Sequence, residues 1–147
     1  MTEKQKALNR VVFILSLAGL FIAIYVLQSF LRQSSIVCVN EGCDLVRKSP
    51  HSYLLGIPVP GFGAVGYFLL VVLSLLKTTK NSRWISRSML GIASFGIAFV
   101  AWFTYTEVFI IKALCTWCVI SAVIMYSVFF LLLKTYFVEK GEKVHAR

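Results

Sequence analysis

The chain has 147 residues, 59% hydrophobic and 14% charged, with mean hydropathy +0.82 and a formal net charge of +9. A water-soluble domain of this size cannot hide so much apolar surface, so the composition implies lipid as the solvent. The basic balance does not point to nucleic acid, because the Lys and Arg residues cluster between apolar runs, as they do in a membrane protein's topology signal.

The predicted architecture is all-α, an integral membrane four-helix bundle with an extracytoplasmic cap loop, in one domain over 1–147. The first span is placed at 11–31, broken only by Ser16, Gln28 and Ser29. A basic start followed by an apolar run also fits a cleaved signal peptide. The run is longer than a usual signal core, no A-x-A site follows it, and Val37 is too bulky for lipoprotein cleavage before Cys38, so the span is expected to stay. An outer loop is placed at 32–60. The second span, at 57–76, has Pro58 and Pro60 near its start, where a missing N–H costs little. A basic 77–88 tie leads to the third span at 89–111. Only Lys112 and Ala113 separate this from the fourth at 114–133, so these two are expected to be antiparallel neighbours. Each span suits, or nearly suits, a hydrocarbon layer of about 30 Å. Small residues at Gly19/Ala23 and Ser94/Ala98 are candidate points of close helix approach.

Eleven of the fifteen Lys and Arg fall on one side: Lys4, Lys6, Arg10, Lys77, Lys80, Arg83, Arg87, Lys134, Lys140, Lys143 and Arg147. The other side has Arg32, Arg47, Lys48 and Lys112. The positive-inside rule then puts a multi-pass protein in the cell membrane with both termini cytoplasmic and the cysteines extracytoplasmic. Thiol oxidation runs favourably in that outer compartment.

The four cysteines form two close pairs. Cys38 and Cys43 sit in a polar loop, where Asn40 and Gly42 supply a turn that lets the pair close. Cys115 and Cys118 open an apolar run, so at i, i+3 their sulfurs share one face of a helix start. Free N–H groups there favour a thiolate, the species that attacks a disulfide or a quinone. Trp117 is expected at the lipid interface. Two dithiols beside one membrane face suggest a relay, the loop pair facing an aqueous partner and the helix pair facing lipid. Structural disulfides and a zinc site remain alternatives. A transporter is disfavoured, since every span centre reads as apolar.

Cys38…Cys43, then Ser49, then Gly56-Ile57-Pro58-Val59 leading to Phe62-Gly63, and finally Cys115-x-x-Cys118 follow one another over most of the chain. In this order the sequence resembles the vitamin K epoxide reductase family. The resemblance implies a bundle around a quinone (ubiquinone, menaquinone or another vitamin K-type ring) beneath a surface loop. It implies that Cys38 meets a redox partner, that Cys43 passes electrons to Cys115 through a transient disulfide, and that Cys118 lies beside the ring. It gives Ser49 a part in positioning the cap and puts Phe62 at the pocket. The vertebrate enzymes have a tyrosine where this chain has Ala122, and an asparagine before the second span, near Val59, that is missing here. Those differences favour a thiol:quinone oxidoreductase serving a thioredoxin-fold thiol oxidase in trans over vitamin K quinone or epoxide reduction.

The candidate catalytic residues are therefore Cys38, Cys43, Cys115 and Cys118, with no metal. The candidate quinone-binding positions are Ser49, Phe62, Glu107, Ile111, Trp117 and Ala122. Glu107 reads either as a proton donor to reduced quinone or as a carboxylate that snorkels or pairs with Lys112, and the second reading is favoured. His51, in the cap loop, reads as a solvated or capping residue rather than a base. Trp102, Phe103 and Tyr105 read as an aromatic stretch facing lipid or bundle.

Overall fold

A computed structural model describes residues 2–34, 37–38 and 41–146. Asn40, expected to help close the first cysteine pair, lies outside the described residues.

Helix α1 (Glu3–Arg32) starts on Thr2, whose side chain accepts from Gln5 N–H, and stops at Gln33 in the left-handed region. After it comes the cap. A short α2 (Gly42–Lys48) leads to a 3-10 turn (Pro50–Ser52) and then to strands β1 (Tyr53–Leu54) and β2 (Ile57–Pro58). The strands pair antiparallel, Tyr53 opposite Pro58 and Leu54 opposite Ile57. Leu55 and Gly56 form the two-residue turn, both at positive φ (54° and 80°), as the twist of a tight hairpin requires. Leu55, 92% exposed, is the hairpin tip.

Four helices are long and apolar enough to cross a membrane: Glu3–Arg32, Val59–Thr79, Arg83–Ile111 and Thr116–His145. α3 (Val59–Thr79) begins with Pro58 as its cap and Pro60 in its first turn, the positions proline tolerates best. α4 (Arg83–Tyr105) starts on Ser82, whose hydroxyl accepts from Trp84 N–H, and widens into a π-helical segment over Thr106–Ile111. α5 (Thr116–His145) follows. α1 packs on α3 and α5, and α4 packs on the same two, closing a ring of four. The protein is a multi-pass, all-α membrane bundle.

The main core joins Val12 and Ala23 of α1, Tyr67 and Leu70 of α3, Met89 and Ala93 of α4, and Met125, Val128 and Leu132 of α5. Between helices in lipid, close packing rather than water exclusion supplies the attraction. Gly19 illustrates it: a Cβ there would run into the Tyr67 ring. Ala23 is buried as well, whereas Ser94 and Ala98 are exposed, so only the first small-residue pair serves an interface.

The basic tie expected over 77–88 is much shorter, because the helices run on past the apolar residues that mark them. Residues 80–82 alone separate α3 from α4. Lys77 lies on α3, 1% exposed, and its Nζ pairs with Glu139 Oε1 at 2.8 Å. Ser86 Oγ donates to the same carboxylate oxygen at 3.1 Å. Alongside, Gln5 Nε2 donates to Glu142, and Asn9 Nδ2 donates to Ser74 O and Thr78 Oγ1. This end of the bundle, away from the cysteines, is laced by polar contacts. The span centres are not wholly apolar either, since Tyr67 is buried in the middle of α3.

Candidate active site: two cysteine pairs above an apolar cavity

Cys43 rides on α2, in its first turn, and Cys38 lies in the preceding loop; the two are joined as a disulfide. Two residues within the other cysteine pair hold that loop down. Trp117 Nε1 donates to Val37 O at 2.7 Å, and the Thr116 hydroxyl lies 3.5 Å from Cys38 Sγ. Trp117 also meets Tyr25 edge-on and lines the cavity, so it is less a lipid-interface belt residue than a clasp between cap and bundle.

Cys115 is the cap residue of α5, extended in backbone, and Cys118 lies in the helix's first turn. Both are free thiols. Cys115 Sγ stands 3.3 Å from Cys43 Sγ, buried in a small second core of Cys43, Val46, Val59, Phe103 and Cys115. The Cys118 thiol, followed by the backbone N–H groups of Trp117 and Cys118, stabilises the Cys115 thiolate and lowers its pKa to about 7 against the opposing effect of burial. All four sulfurs thus belong to one end of the bundle.

The cap is latched to the bundle by Arg47. Its Nη1 donates to Gln33 Oε1 at 3.1 Å and its Nη2 meets Asp44 Oδ1 at 3.3 Å. Gln33 Nε2 in turn donates to Tyr53 OH. The Ser49 hydroxyl accepts from His51 N–H and so caps the 3-10 turn, outside the cavity. His51 thereby shares in the capping through its backbone. The serine that ties this turn to α2 is the fully buried Ser52, whose hydroxyl donates to Val46 O.

Below the sulfurs lies a cavity of about 900 Å³ among α1, α3, α4, α5 and β2. Phe62, Trp117 and Cys118 line it, joined by Phe99, Phe103 and Val59. Apolar walls with a few polar groups and a thiol in reach make the kind of pocket that holds a ring-bearing, lipid-soluble ligand, so the residues present fit a quinone. Ile111 instead packs on the Cys43–Cys115 core, and Ala122 is not part of the cavity wall. The neighbouring Ser121 lines it, as does Tyr67, neither of which sequence reasoning singled out. Ser121 follows Cys118 at helical spacing, and that periodicity was the available signal.

Glu107 departs from its favoured reading. It is 1% exposed, it forms no ion pair with Lys112, and its Oε1 has no hydrogen-bond partner among the described residues. Its carboxyl is an electrostatic neighbour of the Cys115 and Cys118 thiols. The π-helical turn accompanies the difference: the N–H groups of Lys112 and Ala113 both close back on Glu107 O, and this stretch packs under α2 of the cap.

The family model for the vitamin K epoxide reductase family matches residues 10–133, the greater part of the chain. Proteins of that family are membrane thiol–quinone oxidoreductases, and the disulfide and adjacent thiols agree with such a function. The chain belongs to the vitamin K epoxide reductase family.

Proposed function

We propose that this protein oxidises the dithiol of a thioredoxin-fold partner and delivers the electrons to a membrane quinone, by way of Cys38/Cys43 and then Cys115/Cys118. The observation that carries this reading is the 3.3 Å approach of Cys115 Sγ to Cys43 Sγ, with Cys118 on the cavity wall one helical turn away. The Lys and Arg distribution supports an orientation with both termini in the cytoplasm and the sulfurs outside.

The steps balance as follows. A partner thiolate attacks Cys38, the Cys38–Cys43 bond breaks, and Cys43 leaves as a thiolate. The partner's second thiolate then attacks the mixed disulfide, releasing the oxidised partner and a Cys38 thiolate. Cys43 attacks Cys115 in a Cys115–Cys118 disulfide and frees Cys118. Cys38 attacks Cys43, restoring the first disulfide and expelling Cys115. Two electrons have then moved to the helix pair, and the described state, one disulfide and two thiols, matches that end point. A low pKa makes Cys115 the better leaving group in that last exchange. The quinone supplies a two-electron, two-proton acceptor. As Cys118 reacts, its thiol proton passes to the neighbouring Glu107 carboxylate.

Cys43→Ala tests the order. Oxidation of a reduced thioredoxin-fold protein should stop, while quinone reduction fed by dithiothreitol at the helix pair continues. Equal loss of both activities contradicts the assigned roles.

A further inference from the structure

The cavity's polar atoms are few, and two of them meet. Tyr67 OH donates to Ser121 O at 2.7 Å and stands 3.1 Å from Ser121 Oγ. Tyr67 is 1% exposed, and both residues line the cavity together with Cys118. The fold sets the ring here deliberately in physical terms: only a glycine at position 19 leaves room for it against α1. Ser121 lies three residues after Cys118, so the two side chains share a face of α5 about 5–6 Å apart at Cβ. The Tyr67 proton is directed at the Ser121 carbonyl, which leaves the serine hydroxyl as the rotatable donor. It can rest on Tyr67 Oη or turn to an acceptor within the cavity.

We propose that the Tyr67–Ser121 hydroxyl pair is the polar anchor for one carbonyl oxygen of the quinone ring, holding the ring's edge against Cys118. The proposal rests on the oxidoreductase reading and adds to it the contact that orients the acceptor. Ser121 Oγ donates to the carbonyl oxygen, and Tyr67 OH fixes the serine from behind. As the two thiols become the Cys115–Cys118 disulfide, their electron pair passes to the ring and negative charge grows on that oxygen. A donor already aimed at it is worth more in an apolar, water-poor cavity than in water. Two thiols becoming a disulfide release two electrons and two protons, the Cys118 proton by way of Glu107, which together make the quinol with no further reductant.

The test uses full-length protein in detergent with menadione. Ser121→Ala and Tyr67→Phe each remove one hydroxyl and little volume, and Ser121→Thr keeps the hydroxyl. Three readouts are compared: menadione binding by quenching of tryptophan fluorescence, menadione reduction driven by dithiothreitol, and reduction of the Cys115–Cys118 disulfide by dithiothreitol without quinone. Ser121→Ala is expected to slow menadione reduction by on the order of 10-fold to 100-fold and weaken binding, with the quinone-free step unchanged. Tyr67→Phe should have a smaller effect of the same kind, and Ser121→Thr should restore most of the rate. Wild-type binding and rates in both variants would overturn the anchor. So would equal slowing of the quinone-free step, which would mark a purely structural bridge between α3 and α5. Failure of the wild-type protein to reduce menadione or any quinone would instead remove the oxidoreductase reading itself.

Discussion

Cys115 Sγ lies 3.3 Å from Cys43 Sγ although 72 residues separate them, and this contact joins the cap to the bundle. Thiol–disulfide exchange needs an attacking sulfur at the face of a bonded one, and a buried site holds that encounter without a search through solvent. The contact predicts a trapped intermediate. A Cys38→Ala/Cys118→Ala double variant, retaining Cys43 and Cys115, should form an internal disulfide under mild oxidant in nearly every molecule, detected by peptide mapping. Persistent free thiols at both positions would show that the two sulfurs do not meet.

Cys115 is expected to titrate near pH 7, with the Cys118 thiol as the main cause. The sign is that of a depressed acid: the thiolate prevails above about pH 7 and is lost as the pH falls through it. In a Cys38→Ala/Cys43→Ala background, ultraviolet thiolate absorbance should rise with that midpoint. Adding Cys118→Ala should move the midpoint up toward the ordinary thiol range. A midpoint indifferent to Cys118 would contradict the assigned cause.

Glu107 is the proton acceptor for Cys118 in this account, so Glu107→Gln keeps the size and removes the base. Quinone reduction is expected to fall by on the order of 100-fold, while exchange between Cys43 and Cys115 is retained. Glu107→Asp should recover part of the rate. Stopped-flow quinone reduction beside a mixed-disulfide assay separates the two steps.

At the far end, Lys77 and Glu139 form an ion pair at 2.8 Å with the lysine fully buried. Removing one partner leaves an uncompensated charge, so Lys77→Met should cost about 3–5 kcal/mol. The double variant Lys77→Met/Glu139→Leu should recover most of that loss. Thermal unfolding in detergent reads both, and an additive loss in the double variant would contradict a coupled pair.

The four spans were legible because runs of apolar residues bracketed by Lys and Arg leave few other choices in 147 residues. The Cys115–Cys118 helix start was legible for a similar local reason, since spacing alone puts both sulfurs in one turn. What the sequence concealed depended on tertiary contacts. Lys77 reads as a loop cation until its partner Glu139, 62 positions later, comes alongside. Glu107 reads as an interfacial carboxylate unless the helix widens beneath it, and no residue type announces a π-helical turn. Tyr67 hides among apolar neighbours, and its meaning depends on Gly19 and Ser121 from two other helices. Ala122 was singled out by analogy, while the residue before it faces the cavity.

The most direct test of the whole account is quinone reduction by the detergent-purified protein supplied with dithiothreitol, followed by absorbance, beside Cys118→Ala. The account predicts rapid turnover in the wild type and its loss in the variant. Turnover that survives in Cys118→Ala, or no turnover with any quinone in the wild type, would contradict a thiol:quinone relay ending at Cys118.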